Sequence, residues 1–245
     1  VNETASTPTP APGTGHRRWL RWVIAVVVVV AVVAIGGPFV FIHFIEGPPA
    51  PRLALPAAGP TSGTGAGAVV SGIGGTWKVS AGSTAGYRVQ EVLLGQSTTA
   101  VGRTSQVTGQ VEIGGTTVER ASFTVDMASV VSNQPQRNAQ FDGRIMDVVR
   151  YPTATFQLTH PIPLGPLPAV GDTVHVTATG ALTLHGVTRT VAVPLSAERL
   201  ATTIDVLGDT DLVFSDWGID NPSIAGFVTT ADHGTLEVLL HLTRE

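Results

Sequence analysis

The residues of this chain best suited to chemistry are five histidines, His160, His175, His185, His233 and His241, and two carboxylate pairs, Asp209 with Asp211 and Asp216 with Asp220. A zinc centre needs three or four converging ligands, yet no two histidines stand in His-Glu-x-x-His spacing and the chain has no cysteine. His175 and His241 fall on the polar sides of alternating segments, where surface histidines sit. His185 falls in a turn between two strands, where it either hydrogen-bonds locally or makes a polar contact at a rim. A glycosidase pair must face one cleft with separated pKa values, whereas these aspartates lie in turn-like segments. Neither a Gly-x-Ser-x-Gly elbow nor a Gly-x-x-x-x-Gly-Lys phosphate loop occurs. The residues point to binding rather than catalysis, with no metal or cofactor expected and a hydrolase built on His185 or the Asp216 region as the weakest alternative.

Any site must be positioned by strands. Val107, Val111 and Ile113 alternate with Thr108, Gln110 and Glu112, and Phe123, Val125 and Met127 with Thr124 and Asp126, which is the period of a half-buried strand. The longest such run, residues 174–184, exceeds ~30 Å at ~3.3 Å per residue, long for a sandwich and usual for a barrel stave. Gly180 in its middle is expected to mark a bend or bulge. A tight turn at His185-Gly186 leads into Val191, Val193 and Leu195, and Leu236, Val238, Leu240 and Leu242 end the chain, giving eight to ten strands in all. One segment departs from period two. Phe141, Ile145, Val148 and Val149 space out a short amphipathic helix between residues 133 and 150, with Asn133 as N-cap and Pro135 in its first turn. The expected fold is all-β, an antiparallel barrel with one short helix over a side or mouth.

The N-terminal part has a different composition. Residues 1–18, led by Thr, Pro and Ala, are expected to form a disordered cytosolic tail. Residues 23–42 carry no charge, and twenty residues at ~1.5 Å each match a ~30 Å hydrocarbon core, so 19–45 is expected to be a single transmembrane helix. Arg17, Arg18 and Arg21 precede it, against Glu46 and Arg52 after it, which puts the N-terminus in the cytoplasm and the rest outside. A cleaved secretory signal, with Ala57 and Ala58 at its cleavage site, would give a secreted product instead. Residues 46–75, rich in Pro and then in Gly, read as a linker that lets the domain stand away from the membrane. The domain, 76–245, has ten Lys or Arg against sixteen Asp or Glu and no basic run, so nucleic acid is not an expected partner.

A barrel of about eight strands is either just filled by side chains or holds one small ligand. Phe123, Val125, Met127 and Phe156 are the expected cavity lining on one side. Val176, Ala178, Leu182 and Leu184 are expected on the other, and the small residues among them leave room. About ten carbons of a hydrocarbon chain would gain ~8 kcal/mol gross there, before ordering costs. A filled barrel acting as an extracellular scaffold or interaction module is the alternative.

Five segments carry a resemblance. Phe123-Thr124-Val125-Asp126-Met127-Ala128-Ser129, the helix begun at Arg137, Tyr151-Pro152-Thr153-Ala154-Thr155-Phe156, Gly180-Ala181-Leu182-Thr183-Leu184-His185-Gly186-Val187-Thr188-Arg189 and Ser215-Asp216-Trp217-Gly218-Ile219 come in family order. Residues 76–245 thereby resemble the YceI-like, polyisoprenoid-binding domain family. The resemblance implies a lipocalin-like barrel on the extracytoplasmic side, whose elongated apolar cavity takes an isoprenoid-type lipid, with Tyr87, Arg137 and His185 as polar rim contacts. Gly82-Ser83 stands where many members have His-Ser, Arg137-Asn138 where they have Arg-Asp, and Phe214 where they have a basic residue. The ligand's polar end therefore stays open among an isoprenoid quinone, a polyprenyl phosphate and other long lipids.

Overall fold

The computed structural model describes residues 15–40, 48–56, 72–93, 95–223 and 228–245, and the chain divides between Gly47 and Pro48 into two units. In the first, helix α1 (Gly15–Val40) begins inside the expected tail, and its described side chains, 19, 21–33 and 37, are exposed. Residues 1–14, most of the expected tail, and 41–45, the end of the expected span, lie outside the described residues. Among the described residues no helix is long and apolar enough to cross a membrane.

The second unit is built from thirteen described strands. They are β1 (Gly75–Val79), β2 (Thr84–Leu93), β3 (Gln96–Thr104), β4 (Val107–Gly114), β5 (Thr117–Asp126), β6 (Val131–Ser132), β7 (Thr153–Leu158), β8 (Ile162–Pro163), β9 (Thr173–Leu184), β10 (Val187–Arg199), β11 (Thr203–Val213), β12 (Val228–Thr230) and β13 (His233–Arg244). Strands β1, β4, β5, β7, β9, β10, β11 and β13 pair antiparallel in that order, and β1 returns to β13 through Trp77↔Arg244 and Val79↔Leu242. Eight strands thus close a barrel, which removes the unpaired edges an open sheet would present. β2 pairs with the other half of β13, Leu236 opposite Tyr87, and carries β3 and β6 beside it. Buried apolar residues form two clusters. One gathers Trp77, Val111 and Leu242; the other, at the mouth, gathers Phe141, Met146, Leu184 and Trp217.

Several expectations need correcting. β9 pairs with β10 without a register shift from Leu184↔Val187 to Thr173↔Glu198, so Gly180 marks no bulge; a register shift lies instead between β4 and β5, where Glu112 pairs with Arg120 and Ile113 with Val118, leaving Glu119 of β5 unpaired. The helix is α2 (Pro135–Gln140) continued by a π-helical turn, Phe141–Ile145. Gln134 is its N-cap and makes no side-chain cap bond, whereas Asn133 Oδ1 accepts from Arg137 Nη1 at 2.9 Å. The helix ends at Ile145, and Asp147 at φ +42° turns the chain. Val148 still packs on the mouth cluster, but Val149, expected on the same face, is 93% exposed.

The segment read as a free linker is also different over residues 48–56. Arg88 Nη2 donates to Ala50 O at 2.8 Å and Arg103 Nη2 to Pro51 O, so this strap packs on the outer wall of β2 and β3. Both arginines also hold Glu237 of β13, at 2.9 and 3.1 Å, with its side chain 3% exposed. Residues 57–71 of the expected linker lie outside the described residues.

Candidate ligand-binding site

Large side chains inside the barrel lie over glycines in its wall. Phe123 sits opposite Gly109, Tyr87 opposite Gly102 and Leu195 opposite Gly208, while Phe156 reaches over Gly180 from β7. At each glycine a Cβ would collide with that neighbour. Covering a strand glycine with an aromatic ring offsets the packing that the glycine lacks. Here it also lays bulk along the wall instead of across the axis. Phe123, Val125, Val206 and Val238 pack on the first cluster and Val125 and Phe156 on the second, and these, with Val176, are half-buried.

The expected lining residues are largely where the alternation puts them. Ala178, Leu182 and Leu184 are buried on the inner face of β9, and Phe123, Phe156 and Leu182 face one another across β5, β7 and β9. Val125 and Val176 share that inner face, by parity with Phe123 and Ala178. Met127 is the exception. It lies past the end of β5 in a 3-10 turn, Met127–Ser129, where Asp126 Oδ1 accepts the Ala128 N–H at 3.0 Å. Its buried side chain belongs to the mouth cluster.

At the mouth, the structure brings two of the three expected rim residues together. The Tyr87 ring stacks on Phe141 with centroids 5.1 Å apart and planes 9° from parallel. Burial pushes the Tyr87 phenol up to about 12, with the Glu91 and Asp142 carboxylates adding to the shift and the Arg137 guanidinium opposing it. Arg137 Nη2 donates to Glu91 Oε1 at 2.8 Å, with both side chains largely buried. Sequence reasoning missed Glu91 and Asp142. Glu91 falls on the inward parity of β2, in step with Ala85 and Tyr87, and that charge on an apolar face was a readable signal. Asp142 Oδ1 is buried and has no hydrogen-bond partner.

His185 contacts a different set. With Gly186 it forms the two-residue turn between β9 and β10, at φ +50° and +75°. Its ring meets Tyr151 edge-on at 4.6 Å, and its Nδ1 lies 3.3 Å from Trp217 O. Asp216 of the hydrolase alternative is exposed, 3.8 Å from Arg189. His175 is exposed on the outer wall, 2.9 Å from Ser196 Oγ, in a concavity of about 420 Å³ that Asp209 also lines. Among the described residues no group of three or more His, Asp or Glu could hold a metal ion.

Comparison with known proteins agrees with this architecture. The YceI-like domain matches residues 77–242. A polyisoprenoid binding domain from Saccharophagus degradans, implicated in plant cell wall breakdown, superposes with a TM-score of 0.55 at 18% identity, covering 69% of this chain and 98% of that one. Burkholderia cenocepacia BcnA gives 0.49 at 24% identity, covering 63% and 95%. A Campylobacter jejuni YceI protein gives 0.46 at 13% identity, covering 59% and 84%. No curated protein matches. With the family match running from within β1 to within β13, this chain belongs to the YceI-like domain family.

Proposed function

We propose that the barrel binds or carries the hydrocarbon chain of an isoprenoid-type lipid, at the extracytoplasmic face of a membrane to which residues 19–45 attach it. The observation that carries this reading is the seating of Phe123 and Phe156 over wall glycines, which lays their rings along the wall, with both rings only partly buried beside the two clusters. Trp77 and Leu242 occupy the far end, at 3% and 2% exposure, and Tyr87 with the Arg137–Glu91 pair lies at the other. A lipid would therefore enter tail first and leave its head beside Tyr87 and Arg137. Each buried CH₂ would gain ~0.8 kcal/mol, which needs no catalytic residue. Membership of the YceI-like family and the polyisoprenoid binding of the Saccharophagus domain support the ligand class. The uncharged run at 23–42, with arginines before it, supports attachment and orientation.

The test is native followed by denaturing mass spectrometry on the full chain, purified in mild detergent without added lipid. Release of a long-chain isoprenoid on denaturation is the expected result. Apo protein that also refuses added polyprenyl lipids and quinones would favour the filled scaffold.

A further inference from the structure

The charges around Tyr87 bear on which polar head the mouth accepts. The cation acting on Tyr87 is Arg137, and its guanidinium is already engaged, by Glu91 Oε1 at 2.8 Å and by Asn133 Oδ1 at 2.9 Å. Asp142, which follows the Phe141 ring stacked on Tyr87, adds a second carboxylate, so Arg137, Glu91 and Asp142 together carry a formal charge of minus one. A phosphate head is bound by uncommitted cations or clustered N–H donors, and here it would meet an excess negative charge at low dielectric. A quinone offers only acceptors. Asp142 Oδ1, buried and without a partner, needs a donor, and leaving such an oxygen unmet carries a desolvation penalty.

We infer that the mouth selects a lipid with an uncharged, hydroxyl-bearing head, an isoprenoid alcohol, whose O–H donates to Asp142 and whose oxygen accepts from the Tyr87 O–H. Asp142 and Tyr87 are then the specificity-determining pair, and the Glu91–Arg137 ion pair positions the helix that carries Asp142. Because burial holds the phenol up to about 12, Tyr87 stays a donor throughout the physiological range. This inference rests on the lipid-binding reading and narrows it to one head chemistry.

The experiment uses the full chain in detergent and three probes of matched chain length: undecaprenol, undecaprenyl monophosphate and a menaquinone. Retention of each is measured by native mass spectrometry, alone and in pairwise competition. Undecaprenol is expected to be retained in preference to the other two by about tenfold, the scale of one well-made buried hydrogen bond. Asp142→Asn keeps the shape, removes the charge and presents an N–H₂ that can turn to the ligand. It should shrink the preference over the monophosphate severalfold. Equal or better retention of the monophosphate by the wild-type chain overturns the inference, as does an Asp142→Asn variant with an unchanged ratio. If none of the three probes is retained, the lipid-binding reading itself fails, an outcome distinct from failure of head selection.

Discussion

The Phe156 ring occupies the space that a Cβ on Gly180 would need, although the two are not direct partners: Gly180 pairs with Leu158 and Phe156 with Leu182. The glycine is thus required by a diagonal neighbour on the inner face together with the Gln157 carbonyl, 2.6 Å from that Cβ. Gly180→Ala is expected to cost about 1–3 kcal/mol through overpacking. In a Phe156→Leu background the same substitution should cost less, the remainder being the approach of the new Cβ to Gln157 O, 2.6 Å away. A double-mutant cycle by denaturant unfolding checks this, since equal costs in both backgrounds would mean that ring and glycine are uncoupled.

That relationship also shows why part of the structure was legible in sequence and part was not. Period-two alternation located β4, β5, β9 and β10 and put Phe123, Ala178 and Leu182 on one face, because a strand's faces follow from residue parity alone. Gly180 was visible, but its cause lies on another strand. Asn133 was misplaced by one position because Gln134 holds the cap, and Val149 because the helix ends at Ile145 and the chain turns at Asp147, φ +42°, before reaching it. The strap at 48–56 has linker composition, and only Arg88, Arg103 and Glu237, 32 to 189 residues further on, decide that it docks. Tyr87 and Arg137 were placed at the mouth by resemblance, whereas Asp142 had no motif to announce it.

Glu237 faces outward on β13 yet is buried, because Arg88, Arg103 and the strap cover it. Removing the carboxylate leaves two arginines beneath the strap without their counter-charge, and breaking a buried pair from one side costs about 3–5 kcal/mol. Glu237→Ala should destabilise the barrel on that scale and speed tryptic cleavage after Arg52. Thermal unfolding and timed proteolysis read the two effects separately. Unchanged cleavage beside lowered stability would show that other contacts hold the strap.

The Tyr87 phenol is raised from its ordinary 10.0 to about 12, mainly by burial. Folding therefore favours the protonated form. Its contribution is fully present below pH 10 and is lost as pH rises to about 12, because the unfolded chain releases that proton first. The shift corresponds to roughly 2–3 kcal/mol. Denaturant midpoints measured across this window should fall in the wild-type chain and fall less in Tyr87→Phe. With Tyr151→Phe as background, Tyr87 is the one remaining tyrosine, and phenolate absorbance then reports its titration directly.

His185 and Gly186 both hold positive φ in a turn that joins directly paired strand ends, Leu184 and Val187. Two-residue hairpin turns of this kind match the strand twist and favour Asn or Gly, so the backbone sets the demand at position 185. His185→Asn should leave stability within about 0.5 kcal/mol, since asparagine visits this region readily, whereas His185→Val should cost about 1–2 kcal/mol. The imidazole's contacts with Tyr151 and Trp217 O are the only described features that Asn would forgo. The hydrolase alternative makes the opposite demand, because it needs the imidazole itself. Parallel assays of unfolding and of hydrolysis of a polyprenyl phosphate decide between them. A stable His185→Asn chain that has lost a turnover present in the wild type would make His185 catalytic, and matched behaviour of the two chains leaves it a turn residue.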